Sequence, residues 1–503
     1  MISRFLPGAG GLLALYVLSA CDLAPEYHPP LVATPVDFKE TAEWKRATPN
    51  DAVPRGPWWS IFQDSELDAL EDRVTAANQN LKVAVAQFQE ARAQAKEARA
   101  ALFPTINATG AASRNQTSRE TAFVRPNPLF NDFEPALDLT YEIDVWGRVR
   151  NSALAGKNRA QASAGDLASV DLSLHAELAA DYFILRGDDG EQDVLDGTVK
   201  DYEKALELTL SRYKGGDAAE ADVAEAQTQL ETAKTQSADT ALRRAQLEHA
   251  IAILTGVPPS NFSLEHKRLT ATPPKIDAIL PGELLERRPD VAAAERRVAA
   301  ANADIGVARA AYYPVFNLTA MFGVEASLPG HLLNAASTAW SIGPSAVFNI
   351  FDGGLRDAQN EEALAAYDEV AADYRQTVLS AYGDVEDNLS ALRLLEQENI
   401  TQSAAVAAAR RATFQAERRY AGGLASYFDV VTAQNVELSA ALTEEDIRIR
   451  RMTAGVFLVK ALGGGWQRED GLDLRKVDPE GPFGPPKAET AAAEVKAGPA
   501  KTE

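Results

Sequence analysis

The sequence predicts a mainly α-helical chain that also supplies strands to a membrane β-barrel, arranged as an internal two-fold repeat. Three observations carry that prediction. Residues 212–224 read RYKGGDAAEADVA and residues 419–431 read RYAGGLASYFDVV, so Arg212/Arg419, Tyr213/Tyr420, Gly215/Gly422, Gly216/Gly423, Asp222/Asp429 and Val223/Val430 all stand 207 positions apart. Such a long-period echo marks a duplicated structural unit. Apolar residues step by three and four over long runs, as they do on helices packed along a narrow seam. Four shorter segments alternate apolar and polar positions, the period of a strand with two different faces.

The N-terminus comes first. Residues 1–20 hold one basic residue, Arg4, and an apolar stretch around Leu12–Leu18 that ends in small residues. That stretch is too short to span a bilayer comfortably and reads as a signal peptide. Leu18-Ser19-Ala20-Cys21 resembles the lipobox of bacterial lipoproteins, in which the cysteine is acylated and becomes the mature N-terminus. The other reading is an ordinary signal followed by a buried cysteine. Asp22 resembles an inner-membrane retention cue of enteric lipoproteins. Residues 21–62 then form an extended, lipidated N-terminal segment.

Two repeats follow, residues 63–256 and 283–464, joined by a linker at 257–282. From Leu67 the positions Leu67, Leu70, Val74, Ala77, Leu81, Ala84, Phe88, Ala91, Ala95, Ala98 and Leu102 keep the three-four step without a slip, which predicts one long helix. Half of that stripe is alanine, so its neighbour must pack closely. Further helical runs cover Ser152–Tyr213, Glu220–Leu254, Asp290–Tyr312, Arg356–Tyr420 and Tyr427–Leu462. A helix of about 60 residues is about 90 Å long, more than most globular enzymes need. The glycine pairs sit between long helices, where glycine can take the left-handed conformation that ends a helix. Each RYxGG is therefore the tip of a helical hairpin.

Four strands are predicted, as two hairpins at 104–146 and 314–351. Leu137 to Val145 alternates perfectly. Phe316, Leu318, Ala320, Phe322 and Val324 form one apolar set; Trp340, Ile342, Ala346, Phe348 and Ile350 form another. Thr105–Ser113 is a weaker strand with Ile106 and Ala108 on one face. The loops are expected at Arg114–Phe133 and Ala326–Ser337. Alternating strands of about ten residues with long polar loops are the signature of a transmembrane barrel; a two-sheet soluble domain is the other reading. Four strands cannot close a barrel, and open edges are not tolerated in lipid. The chain must then oligomerise, to eight strands as a dimer or twelve as a trimer. Residues 465–503, rich in Pro, Ala, Lys and Glu, are expected to be a disordered tail.

Composition excludes several classes of function. Lys and Arg number 50 against 72 Asp and Glu, a formal charge of −22. Nucleic-acid binding needs basic surface and is not expected; a path that favours cations is compatible with this charge. The single cysteine allows no intrachain disulfide. The five histidines (His28, His175, His249, His266, His331) show no i, i+4 pair and no cysteine neighbour, so no zinc site is expected. No phosphate loop, nucleophile elbow or cluster of catalytic residues occurs.

Three stretches carry a family resemblance. One is Trp58-Trp59-Ser60-Ile61-Phe62-Gln63-Asp64 running into Leu67, Leu70, Asn78 and Leu81. A second is Leu285-Glu286-Arg287-Arg288-Pro289-Asp290 followed by Ala300-Ala301-Asn302-Ala303-Asp304-Ile305-Gly306. The third is Asp429-Val430-Val431-Thr432-Ala433-Gln434. With the lipobox, the paired hairpins and the repeat, these resemble the TolC-type outer-membrane efflux channels of the OprM/NodT lipoprotein branch, over about Cys21 to Gly464. The resemblance implies a homotrimer with a twelve-stranded barrel in the outer membrane and a long α-helical barrel across the periplasm. It implies a periplasmic adaptor and an inner-membrane RND-type transporter as partners, outer-membrane lipid around the barrel, no cofactor and no enzymatic step. The function implied is the exit duct of a tripartite pump, passing drugs or other small molecules. A type I protein-secretion duct and a non-conducting periplasmic scaffold lipoprotein are the alternatives.

The same resemblance places the hairpin tips at the periplasmic end, as a gate. By position, three Phe428 rings form an apolar constriction and three Asp429 carboxylates a cation-favouring ring. The plainer readings are that Asp429 complements a helix N-terminus and that Phe428 packs between helices. Asp222 is the counterpart of Asp429, and a Tyr420–Asp222 hydrogen bond is implied in the closed state; the alternative is a solvated acid. Some members carry a basic residue just after the second tip's glycines. Here that place is Ala425, so closure is expected either to be weaker or to rest on Arg418 or Arg419. Gly215, Gly216, Gly422 and Gly423, with Arg212 and Arg419, face the adaptor in this reading, or serve only as caps. Arg288-Pro289-Asp290 is read as a helix start.

Overall fold

The computed structural model describes residues 22–35, 37–40, 57–118, 120, 128–274, 276 and 286–466. Cys21, the signal peptide, Leu285 and residues 467–503 of the expected tail lie outside the described residues. Among those described, the helices are α1 (Ser65–Ala77), α2 (Gln79–Ala100), α3 (Arg148–Gly215), α4 (Glu220–Leu254), α5 (Pro289–Ala310), α6 (Leu355–Ala421) and α7 (Tyr427–Ala461). The strands are β1 (Thr105–Gln116), β2 (Leu129–Ile143), β3 (Val315–Val324) and β4 (Thr338–Val347). No helix of the described residues is long and apolar enough to cross a membrane. The chain divides into two compact units, each drawing on both repeats.

One unit comprises the chain up to Leu31, Gln89–Ser163 and Ala294–Arg375. It holds an antiparallel sheet in the order β1-β2-β3-β4. Register gives the sheet two distinct faces. Ile106, Leu139, Ala320 and Ile342 lie in one cross-strand row, and Ala108, Leu137, Phe322 and Trp340 in another. The alternate rows carry Asn107, Asp138, Met321 and Ser341, then Thr105, Thr140, Thr319 and Gly343. The apolar face is bare in the single chain: Ile106, Phe322, Trp340 and Ile342 are each 60–69% exposed. The first hairpin is longer than the alternation predicts, with β1 running to Gln116 and β2 starting at Leu129, inside the expected loop. Ser113, Arg114, Asn115 and Gln116 are polar on both faces, so backbone pairing alone defines that end. Gly323 is required by close approach, since a Cβ there would stand 2.6 Å from the Pro135 carbonyl oxygen.

Below the sheet, alanine allows the close helix packing the stripe predicts: a Cβ on Gly156 of α3 would lie 3.1 Å from the Ala98 Cβ of α2. Asp144 begins α3 by accepting from the Val149 and Arg150 amides at 3.1 and 2.8 Å. Trp146 stacks on Tyr313 at 4.7 Å and donates to the Pro314 carbonyl at 2.8 Å, tying the end of β2 to the start of β3. The N-terminal segment is pinned here. Asp22 accepts from the Asn151 side chain at 2.8 Å, Asn302 donates to the Pro25 carbonyl at 2.8 Å, and the Tyr27 hydroxyl donates to Glu295.

The other unit comprises Val32–Phe88, Ala164–Ala293 and the chain from Gln376. Its core gathers Trp58, Phe62, Leu67, Val74, Leu81, Phe88, Tyr182 and Phe183. Here the single helix expected from Leu67 to Leu102 is corrected to two, because the chain breaks at Asn78 (φ −59°, ψ 128°). The Asn78 side chain caps the Leu81 amide at 3.0 Å and donates to the Leu254 carbonyl at 2.8 Å. Two bonds to one side chain replace the helical turn, while the apolar stripe continues across it.

Candidate functional site

Both hairpin tips lie in this second unit and are built identically. Asp217 N–H bonds the Arg212 carbonyl at 2.8 Å and Gly216 N–H the Tyr213 carbonyl at 3.1 Å; Leu424 and Gly423 repeat the pattern onto Arg419 and Tyr420 at 2.8 and 3.0 Å. This is the six-to-one and five-to-two pair of a glycine-terminated helix. Only the second glycine of each pair is left-handed, at φ 83° for Gly216 and 71° for Gly423. Gly215 and Gly422 have no such constraint, and no atom would come within 3.5 Å of a Cβ on either except at 3.5 Å the Arg418 carbonyl beside Gly422.

Beyond the glycines the repeats diverge. In the second tip Ser426 caps α7. Its hydroxyl accepts from the Asp429 amide at 3.3 Å, and the Asp429 carboxylate accepts from the Ser426 amide and hydroxyl, both at 2.9 Å. These Ser426 bonds, and then the Arg419 charge, hold the Asp429 carboxyl below the usual range. In the first tip Asp222 accepts from the Ala219 amide at 3.1 Å; alanine has no side-chain acceptor to return, and the Asp222 amide bonds the Ala219 carbonyl instead, at 3.1 Å. Asp429 and Asp222 thus each bond the backbone at the start of their helix, α7 and α4. Asp429 keeps an exposed carboxylate all the same.

The tyrosines of the echo part company too. Tyr420 is 7% exposed and Tyr213 is 45% exposed. Tyr420 packs with Ala226, Tyr427, Val430 and Val431, its ring 5.5 Å from that of Tyr427. Its hydroxyl meets the Thr209 hydroxyl at 3.4 Å. The implied Tyr420–Asp222 hydrogen bond is not formed in this chain: Tyr420 faces Thr209, and Asp222 is turned back to its own helix start. The residue that joins the tips is Arg212. Its guanidinium lies 4.3 Å from the Tyr420 ring centroid, and it donates to the Ala421 carbonyl at 3.0 Å. Arg419 donates to the Leu424 carbonyl of its own tip at 3.4 Å, and Arg418 lies over Phe414 at 4.9 Å. Neither takes the bridging place that the missing basic residue at Ala425 left open.

Phe428 is 64% exposed and Leu424 74%. Phe428 does not pack into the core of its own chain. Sequence reasoning missed Tyr427, Thr209 and Ser426. Ser426-x-x-Asp429 was a readable helix-start signature; nothing local announced Thr209.

Comparison with known proteins places these features in context. The family model described as "Outer membrane efflux protein" matches residues 70–257 and 280–464. The antibiotic efflux pump outer membrane protein ArpC of Pseudomonas putida is 30% identical over 476 residues, covering 93% of this chain and 98% of its own. The pyoverdine export outer membrane protein OpmQ of Pseudomonas aeruginosa is 30% identical over 469 residues, covering 91% and 96%. The crystal structure of the Campylobacter jejuni CmeC outer membrane channel superposes with a TM-score of 0.81 at 25% identity, over 92% of this chain and 99% of that one.

Proposed function

The chain belongs to the outer membrane efflux protein family, and from that premise we propose that three copies close a twelve-stranded barrel gated at the second hairpin tip. Membership carries the general role: the protein is the outer-membrane exit duct of an efflux pump and works with an adaptor and an inner-membrane transporter. The observation that carries closure by several copies is the open sheet, and the family resemblance favours three copies over two. The sheet has one apolar face, one polar face and two unpaired edges, at β1 and β4. In lipid every backbone group must be paired, so those edges need other copies of the same sheet. The bare Ile106, Phe322, Trp340 and Ile342 side chains then meet lipid.

Phe428 rings and Asp429 carboxylates narrow the periplasmic end in this reading, and Arg212, Arg419 and the tip glycines form the rim that meets the adaptor. Cys21 carries a lipid. The cargo is of small-molecule size; relatives of equal identity are named for an antibiotic and for pyoverdine. Light scattering of the detergent-solubilised protein tests the assembly. The expected protein mass is about three chains of 54.0 kDa less the signal peptide. A two-chain or one-chain particle that still conducts would overturn it.

A further inference from the structure

Between α3, α6 and α7 lies a groove of about 440 Å³ that the gate does not use. Two residues lining it each carry a buried polar atom with no hydrogen-bond partner among the described residues: the Tyr202 hydroxyl and the Gln434 Oε1, on residues 3% and 7% exposed. The orientation of Gln434 is fixed by chemistry. Its Nε2 donates to the Glu417 carboxylate at 3.0 Å, and a carboxylate can only accept, so the amide oxygen is the end left without a partner. Burial, then the Glu437 charge, pushes the Tyr202 hydroxyl up to about 12, so it stays protonated, with lone pairs to offer.

The charges around these oxygens are incompletely answered. Among the described residues the exposed Glu417 meets only the neutral Gln434 amide. The cation nearest Glu437 is Arg410, at 3.8 Å, on a side chain 62% exposed. The other cation in the lining, Arg268, is committed to the buried Glu445. The Phe414 ring, 51% exposed, adds an aromatic wall, and it already takes one guanidinium, that of Arg418, at 4.9 Å. Buried oxygens without donors, an exposed carboxylate without a cation, a weakly paired second one and an aromatic face together suit a donor-rich cation.

We propose that this groove binds a guanidinium or alkylammonium group. Gln434 Oε1 and the Tyr202 oxygen accept from it, Glu417 and Glu437 neutralise it, and Arg410 competes from the rim. The group can come from a free cationic small molecule or from an Arg or Lys of a protein partner. The volume accommodates either a drug-sized ligand or a side chain.

Equilibrium dialysis of the purified full chain against L-argininamide tests this, with L-citrullinamide as the neutral isostere. Saturable binding of one argininamide per chain is expected, at least tenfold tighter than citrullinamide. Glu417→Gln/Glu437→Gln should weaken it at least tenfold, and Arg410→Ala should tighten it several-fold. The second variant carries the test if the first fails to assemble. A helical alanine-rich peptide with a single arginine separates the sources. Binding tenfold tighter than argininamide points to a protein partner, and equal binding to a small cation. The proposal is overturned if argininamide fails to saturate both wild type and Arg410→Ala, if citrullinamide binds equally, or if neither set of substitutions changes the affinity. The groove then holds water alone.

Discussion

The Arg212 guanidinium lies 4.3 Å from the centroid of the Tyr420 ring and hydrogen-bonds the Ala421 carbonyl, so a side chain of the first repeat holds the last turn of the second repeat's long helix. Cation–π contact and a charge-assisted bond to a C-terminal carbonyl add to about 2 kcal/mol at a half-exposed site. Arg212→Ala should therefore shift the tip toward a released state by about thirtyfold in population. Arg212→Lys should lose less, since it keeps the charge but not the planar fork. Hydrogen exchange of residues 418–430 reads this directly; equal protection in wild type and Arg212→Ala would contradict it.

A second prediction concerns Ser426. Its hydroxyl and amide hold the Asp429 carboxyl low, so the stabilisation this group contributes is present above the ordinary carboxylate range. It is lost as pH falls through the lowered value. Ser426→Ala should move that loss to higher pH. Tip exchange followed downward from about pH 5 to well below the ordinary carboxylate range should show the midpoint rise in the variant; superimposable profiles would remove the argument.

Asn78 predicts a stability effect remote from the tips. Asn78→Ala loses the Leu81 cap and leaves the Leu254 carbonyl without its donor, at a cost of about 2 kcal/mol. The melting temperature should drop by several degrees, with conductance per channel unchanged.

The buried pair Glu71 and His175 should make the fold weaken as pH rises. Trp59 stacks on the imidazole at 4.4 Å, and Glu71 lies 2.5 Å from it. Burial alone would lower His175, but the hydrogen-bonded Asp171 and Glu71 carboxylates outweigh that and raise it to about 9. Burial raises Glu71 to about 7 against the pull of His175, with Asp171 and Asp68 adding to the rise. Both groups are raised, so the folded chain holds protons that the unfolded chain has already released. Stability from this pair is full at low pH and declines from about pH 5 to about pH 9. Glu71→Met/His175→Phe should flatten the decline in melting temperature over that window. A variant as steep as wild type would place the dependence elsewhere.

Legibility followed the physics of each element. Glu220–Leu254 is bounded in sequence exactly where it is in space because a glycine tip precedes it and its apolar run ends at the Gly256-Val257-Pro258 turn. The break at Asn78 was hidden because the stripe keeps its period across it. The outer end of the first hairpin was hidden because Arg114–Gln116 has no alternation to read. At the tips, left-handed glycines followed from RYxGG. The divergence of Tyr213 and Tyr420 did not, because an echo in sequence suggests equivalence, while burial depends on what the other repeat brings to each ring. Arg212 read as a surface residue for the same reason: its partners, Tyr420 and Ala421, are over 200 positions away.

Single-channel conductance in a planar bilayer, comparing wild type with Phe428→Gly/Asp429→Ala, tests the central claim most directly. A duct closed at the second tip predicts a small wild-type conductance that rises sharply in the double variant, with weaker preference for cations. Intact, inserted trimers of both proteins that conduct identically, or not at all, would contradict it.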